Sequence, residues 1–156
     1  MDIELHFKVQ DLNARYVHAI DEDRLEEWPD FFVEAGRYRI TTMENVARGL
    51  PLSLMSATSR AMMRDRVNSL RNANVYESQR YRHTVGSMLI EPAENGIVCA
   101  VSNFLVARIM HTGETTLFAT GRYEDRIAVA PDGLRFAEKT VILDSRQIDT
   151  LLAIPL

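Results

Sequence analysis

Five residues carry the side chains that acid–base chemistry needs: Tyr16, Asp21, His83, Asp125 and Lys139. A carboxylate that orients an imidazole makes a general base, and a nearby phenol can handle a proton. Asp21 and His83 are far apart in the chain, so only the fold could pair them. Asp125 and Lys139 fall on predicted neighbouring strands, where a cross-strand ion pair is the simplest account. His83 lies between Arg82 and Thr84, and its simplest role is that of a buried histidine ordering backbone or interface groups.

Metal chemistry has little to work with. The four histidines are His6, His18, His83 and His111, and no two have H-x-x-x-H spacing. Cys99 is the single cysteine, so a Rieske cluster, which needs two cysteines and two histidines, has no place here. His18 and Asp21 stand at i, i+3 and leave an iron site of two histidines and one carboxylate open by counting. Nothing marks the second histidine. The chain has no phosphate-binding glycine loop, no G-x-S-x-G elbow and no nucleophilic cysteine motif. Cys99 is expected to be a small buried hydrophobe in a central strand.

Composition narrows the class further. The 156 residues read as one domain, 1–156, with 46% hydrophobic and 26% charged residues. A net charge of −4 gives a nucleic-acid partner no electrostatic support. A lone cysteine fits a reducing compartment. Met1-Asp2-Ile3-Glu4 lacks the apolar segment of a signal peptide, and no apolar run is long enough to cross a membrane. The expected location is the cytoplasm.

Periodicity supplies the elements. Val9, Leu12, Tyr16, Ala19 and Ile20 form the apolar stripe of a helix over about Val9 to Ile20. Asp23 and Glu26 look like a capping pair for a short second helix ending near Pro29. Trp28, Phe31 and Phe32 form an aromatic knot expected in the core. Tyr38 to Thr42 is a predicted strand, and Met43 to Pro51 a loop. Arg60 to Arg71 is a second main helix, with Met63, Val67 and Leu70 on one face and arginines on the other. Arg80 to Ile90 is a strand with Tyr81, His83, Val85 and Leu89 on one face. Three long strands follow: Ile97 to His111, Thr116 to Ala128 and Leu134 to Asp144. They are long against a usual length of about 5–6 residues, so their sheet must twist and coil. The predicted fold is α+β, a curved antiparallel sheet wrapped around N-terminal helices. The dense apolar tail Ile148, Leu151, Leu152, Ile154 and Leu156 is expected to pack against a neighbouring element or chain.

Several segments resemble one family across nearly the whole chain. They are Glu27-Trp28-Pro29-Asp30-Phe31-Phe32, Met63-Arg64-Asp65-Arg66, Tyr76-Glu77, Arg80-Tyr81-Arg82-His83, Arg108 to Thr115, and Asp149 to Leu156. They resemble the small (β) subunit of bacterial aromatic-ring-hydroxylating dioxygenases, above all those acting on carboxylated aromatics: terephthalate dioxygenase, then salicylate 5-hydroxylase. The resemblance implies an NTF2-like (cystatin-like) cone. It implies a non-catalytic role beside a larger α subunit that carries the Rieske [2Fe-2S] cluster and mononuclear Fe(II), usually as an α3β3 hexamer. NADH would supply electrons through a reductase, directly or by way of a ferredoxin. No catalytic, cofactor-binding or metal residue is expected in this chain. The residues assigned to subunit contacts, by type, are Trp28, Arg64, Arg66, Arg80, Arg82 and His83.

A competing expectation is a free-standing dehydratase, isomerase or small-ligand binder of the same cone, using Asp21, Tyr16 and His83. An imidazole–carboxylate pair in a pocket open to solvent would favour it. A cone plugged by Trp28, Phe31, Phe32 and Tyr81 would oppose it.

Overall fold

The structure is a computed structural model that describes residues 1–73, 76–148 and 152–156. Helix α1 runs Ile3–Asp21 and starts at Asp2, whose carboxylate accepts the Leu5 N–H at 3.0 Å. It begins earlier than its apolar stripe predicts because its first turns face solvent and carry no periodic signal. The stripe residues Val9, Leu12, Tyr16, Ala19 and Ile20 are all buried. A 3₁₀ segment, Leu25–Phe31, leads into β1, Phe32–Thr42. A short helix α2, Met43–Ala47, occupies part of the stretch expected to be loop, and β2, Met55–Ala57, follows. Helix α3, Arg60–Asn72, is capped by Ser59, whose hydroxyl accepts the Met62 N–H at 3.1 Å. The last four strands are β3 (Gln79–Ile90), β4 (Ile97–Met110), β5 (Thr115–Ala130) and β6 (Gly133–Leu143).

The fold is α+β, and among the described residues six strands form one curved sheet in the order β2-β1-β6-β5-β4-β3. Strands β3 to β6 form the expected antiparallel meander. One junction departs from the all-antiparallel expectation: β1 runs parallel to β6, with Tyr38 beside Lys139 and Ile40 beside Val141. Alternation of apolar residues marks a strand but not its direction, and β1 joins the meander's free edge from a distant part of the chain. At Gly121 the β5 backbone lies so close to β6 that a Cβ would sit 2.0 Å from the Ile142 carbonyl oxygen. Only glycine fits there.

Two local expectations are corrected. Asp23 is not a cap: it lies at φ +58°, Arg24 precedes the 3₁₀ segment without a side-chain cap, and Asp23 and Glu26 instead hold Arg71 of α3 at 2.9 and 2.8 Å. On β3 a bulge between Gly86 and Leu89, with Ser87 at φ +50°, switches faces. Leu89 therefore leaves the face of Tyr81 and His83 and is 75% exposed.

The concave face of the sheet, closed by α1, the 3₁₀ segment and α3, holds the core. Tyr16, Trp28, Phe32, Tyr38, Phe104, Tyr123 and Phe136 are fully enclosed there. Most of their rings meet edge to face, as between Trp28 and Tyr38 at 5.1 Å and Tyr16 and Phe136 at 5.5 Å; Phe104 stacks on Tyr123 at 4.5 Å.

Candidate functional site

The acid–base residues fall into two buried clusters. Asp21 ends α1 and faces β3. Its Oδ2 accepts the His83 backbone N–H at 2.8 Å, and its Oδ1 lies 2.6 Å from His83 Nδ1. A carboxylate here accepts, so Nδ1 carries the proton. Both side chains are buried, and Nε2 has no hydrogen-bond partner among the described residues. The carboxylate thus ties the end of the first helix to the middle of β3, an edge strand of the sheet.

The second cluster lies deeper. Lys139 Nζ donates to both oxygens of Asp125, at 3.1 and 3.2 Å, and to Asn13 Oδ1 at 3.2 Å. The Asp125–Lys139 contact is the cross-strand pair expected from the sequence. The ammonium also lies 3.8 Å from the Tyr123 ring centroid, 4.3 Å from that of Phe136 and 4.7 Å from that of Tyr16. Burial pushes the Lys139 ammonium below its ordinary range and the Asp125 carboxyl above its own, while their mutual attraction opposes both shifts. Residue type alone does not mark Asn13 as part of this cluster. Its signal was positional: it is polar yet sits four residues after Val9, on the buried side of α1.

The centre of the cone is filled by the chain itself. Leu152, Ala153, Ile154 and Leu156 are buried. The Leu156 carbonyl oxygen accepts from Tyr16 Oη at 2.9 Å and Tyr38 Oη at 3.0 Å, and the Leu156 N–H donates to Tyr38 Oη at 2.8 Å. Tyr16 is thus a structural donor rather than a group facing a substrate. The tail packs under its own chain as expected; Leu151 lies outside the described residues. A groove of about 310 Å³ between α1 and β3, lined by His6, Asn13, His18, His83 and Met88 among others, skirts the first cluster. The His83 side chain is walled off from solvent beside it. An imidazole that cannot meet a substrate is not a working base in this conformation.

The model of the ring hydroxylating β-subunit family matches residues 15–150. The chain belongs to this family. As a β subunit it is similar to the anthranilate 1,2-dioxygenase small subunit of Burkholderia cepacia, with 39% identity over 155 residues, 99% of this chain and 96% of that one. It is 42% identical over 144 residues to the β1 subunit of the terminal oxygenase component of terephthalate 1,2-dioxygenase from Comamonas, covering 92% of this chain and 94% of the relative. A crystal structure of the β subunit assigned to an aromatic-ring-hydroxylating dioxygenase of Novosphingobium aromaticivorans superposes with a TM-score of 0.87 at 37% identity, covering 96% and 95% of the two chains. The β subunit is therefore a component of an oxidoreductase complex.

The residues of this β subunit do not fit the redox groups of such a complex. Cys99 is the only cysteine. No group of three histidine, cysteine or acidic side chains able to hold a metal occurs among the described residues. Both oxygens of Asp21 are engaged by His83, so the His18–Asp21 iron site considered from spacing does not form.

The six residues assigned to subunit contacts separate by exposure. Trp28 and the His83 ring are enclosed in the core and present no side-chain surface, because both pack against helix α1 and its continuation. Arg64, Arg80 and Arg82 are exposed and Arg66 is half-buried. Arg64 lies 4.0 Å from Asp30, and Arg80 and Arg82 lie 3.9 and 3.3 Å from Glu22.

Proposed function

We propose that this β subunit is the structural, non-catalytic small subunit of the terminal oxygenase of a dioxygenase for carboxylated aromatics, terephthalate or a related acid. It holds a trimer of the larger α subunits in an α3β3 hexamer in the cytoplasm. The Rieske cluster and the Fe(II) belong to the α subunit, and a reductase delivers electrons from NADH. Residues 1–156 act as one domain. Holding redox partners in register matters because misplacement by about 1 Å can cost on the order of 10²-fold in rate.

The observation that carries this reading is the family match over residues 15–150, to which the filled cone adds support. The free-standing enzyme has one observation in its favour, the 2.6 Å contact of Asp21 and His83. The enclosure of that pair and the occupation of the cone by Leu152–Leu156 weigh against it.

Within this reading, Arg64, Arg66, Arg80 and Arg82 are the contact residues that remain at the surface. Replacing all four by glutamine and co-expressing the chain with its large subunit tests the assignment. Assembly is expected to weaken at least tenfold while the isolated subunit melts as before. Unchanged assembly would remove these residues from the interface.

A further inference from the structure

Most arginines of this chain have a carboxylate at hand. Arg24 reaches Glu27 at 2.8 Å, Arg71 holds Asp23 and Glu26, Arg122 meets Glu124 at 2.9 Å, and Arg135 meets Asp132 at 2.8 Å. Arg37 and Arg39 differ. Among the described residues their guanidinium groups make no ion pair or hydrogen bond. They stand two residues apart on β1, so both point to the convex face of the sheet. Tyr38 between them and Ile40 beyond them point inward and are buried.

The strand register completes the surroundings. Arg39 lies between Ser56 of β2 and Thr140 of β6, and Arg37 lies beside Glu138. With Thr58 these residues line a groove of about 320 Å³ on the sheet's outer face. Among the described residues Glu138 is the one acid that lines the groove, and it reaches the other way, to Arg126 at 3.8 Å. The groove therefore combines two uncompensated cations with three hydroxyls, on a chain whose net charge is −4. Two like charges on one strand face repel each other, and no ion pair among the described residues offsets them.

We infer that Arg37 and Arg39 form a docking site for aspartate or glutamate side chains of the large oxygenase subunit, on the face of the sheet opposite the core. This rests on the reading that the chain assembles with such a subunit, and it adds a contact site to the arginines of α3 and β3. A guanidinium fork matches a carboxylate in shape and charge, and two forks beside hydroxyl donors suit an acidic segment. The exposure of Arg37, Ser56 and Thr58 argues for a protein partner. A small free anion needs a concave site that encloses most of its surface, whereas Arg37, Ser56 and Thr58 stand exposed along this groove. Arginine on an open face belongs to the kind of surface that protein partners cover.

The test is binding of the intact subunit to its large subunit at several salt concentrations, with wild type, R37Q/R39Q and R37K/R39K. For R37Q/R39Q the Kd at low salt is expected to rise at least tenfold and its dependence on salt to shrink, while the isolated subunit melts within about 1 °C of wild type. R37K/R39K keeps the charge but not the fork, and is expected to retain the salt dependence with an intermediate Kd. A wild-type Kd and salt dependence in R37Q/R39Q would overturn the inference. So would millimolar benzoate or phosphate raising the melting temperature of wild type but not of R37Q/R39Q, which would make the groove a small-anion site. Loss of self-association in the isolated variant would overturn it in favour of a second copy of this chain. If wild type itself binds no large subunit, the parent reading falls and the docking site with it, an outcome read from wild type alone.

Discussion

Tyr38 and Leu156 bond to each other in both directions. The Tyr38 hydroxyl donates to the Leu156 carbonyl oxygen at 3.0 Å and accepts the Leu156 N–H at 2.8 Å. One phenol thus satisfies both backbone groups of a residue buried at the centre of the cone, with Tyr16 adding a second donor to the same oxygen.

Removing that phenol leaves a buried N–H without a partner. Tyr38→Phe is therefore expected to cost about 1–3 kcal/mol, and Leu156→Ala about 2–5 kcal/mol through the cavity it leaves. Thermal unfolding of each variant checks this. A melting temperature equal to wild type for both would mean that the tail does not hold the cone closed.

The three buried phenols also set an alkaline limit. Burial raises the pKa of Tyr16, Tyr38 and Tyr123 above the ordinary value of 10.0. Their contribution to stability is full below about pH 10 and is lost as pH rises from there toward the folded pKa, because the unfolded chain releases those protons first. Absorbance at the phenolate band should show these three tyrosines ionising only together with unfolding. Ionisation of all tyrosines while the far-ultraviolet dichroism stays native would contradict the enclosed core.

Acid acts on other groups. Arg71 lowers the pKa of Glu26 from 4.5, and Arg135 lowers that of Asp132 from 3.8. Depressed carboxyls stabilise the fold above their unfolded pKa, and the benefit disappears as pH falls below about 4.5 and 3.8. Arg71→Gln should flatten the upper part of that loss. The melting temperature of the variant between pH 5 and 3.5 is the check, and an undiminished slope would mean that the Arg71 fork carries none of it.

The Asp125–Lys139 pair predicts a rescue. Lys139→Met alone strands a buried carboxylate and is expected to cost about 3–5 kcal/mol. Adding Asp125→Leu should recover most of that loss, since two apolar groups can replace a buried ion pair. Failure of the double variant to melt above the single one would show that Asn13 and the three rings demand the charge.

Much of the frame was legible in the sequence. The β3 to β6 meander announced itself because its strands are long and separated by Glu94-Asn95-Gly96, Thr112-Gly113-Glu114 and Pro131-Asp132-Gly133, whose glycines take positive φ in the structure. The aromatic knot and the Asp125–Lys139 pair followed from residue type and strand order. What stayed hidden depended on contacts between distant parts of the chain. The parallel pairing of β1 with β6 leaves no periodic mark, and the bulge at Ser87 changes faces without a glycine at its positive-φ position. Trp28 and His83 drew attention as interface residues because arginine and aromatic side chains favour interfaces. Their residue types fit a core role as well as an interface one, and only the packing of the 3₁₀ segment and of β3 against α1 decides between the two.

The most direct test of the central claim is the mass and iron content of the chain purified alone and co-expressed with its large subunit. The account predicts a brown hetero-hexamer of three large and three small chains, with all the iron remaining in the large subunit when the two are separated. A stable, colourless monomer or dimer that ignores the large subunit would contradict it.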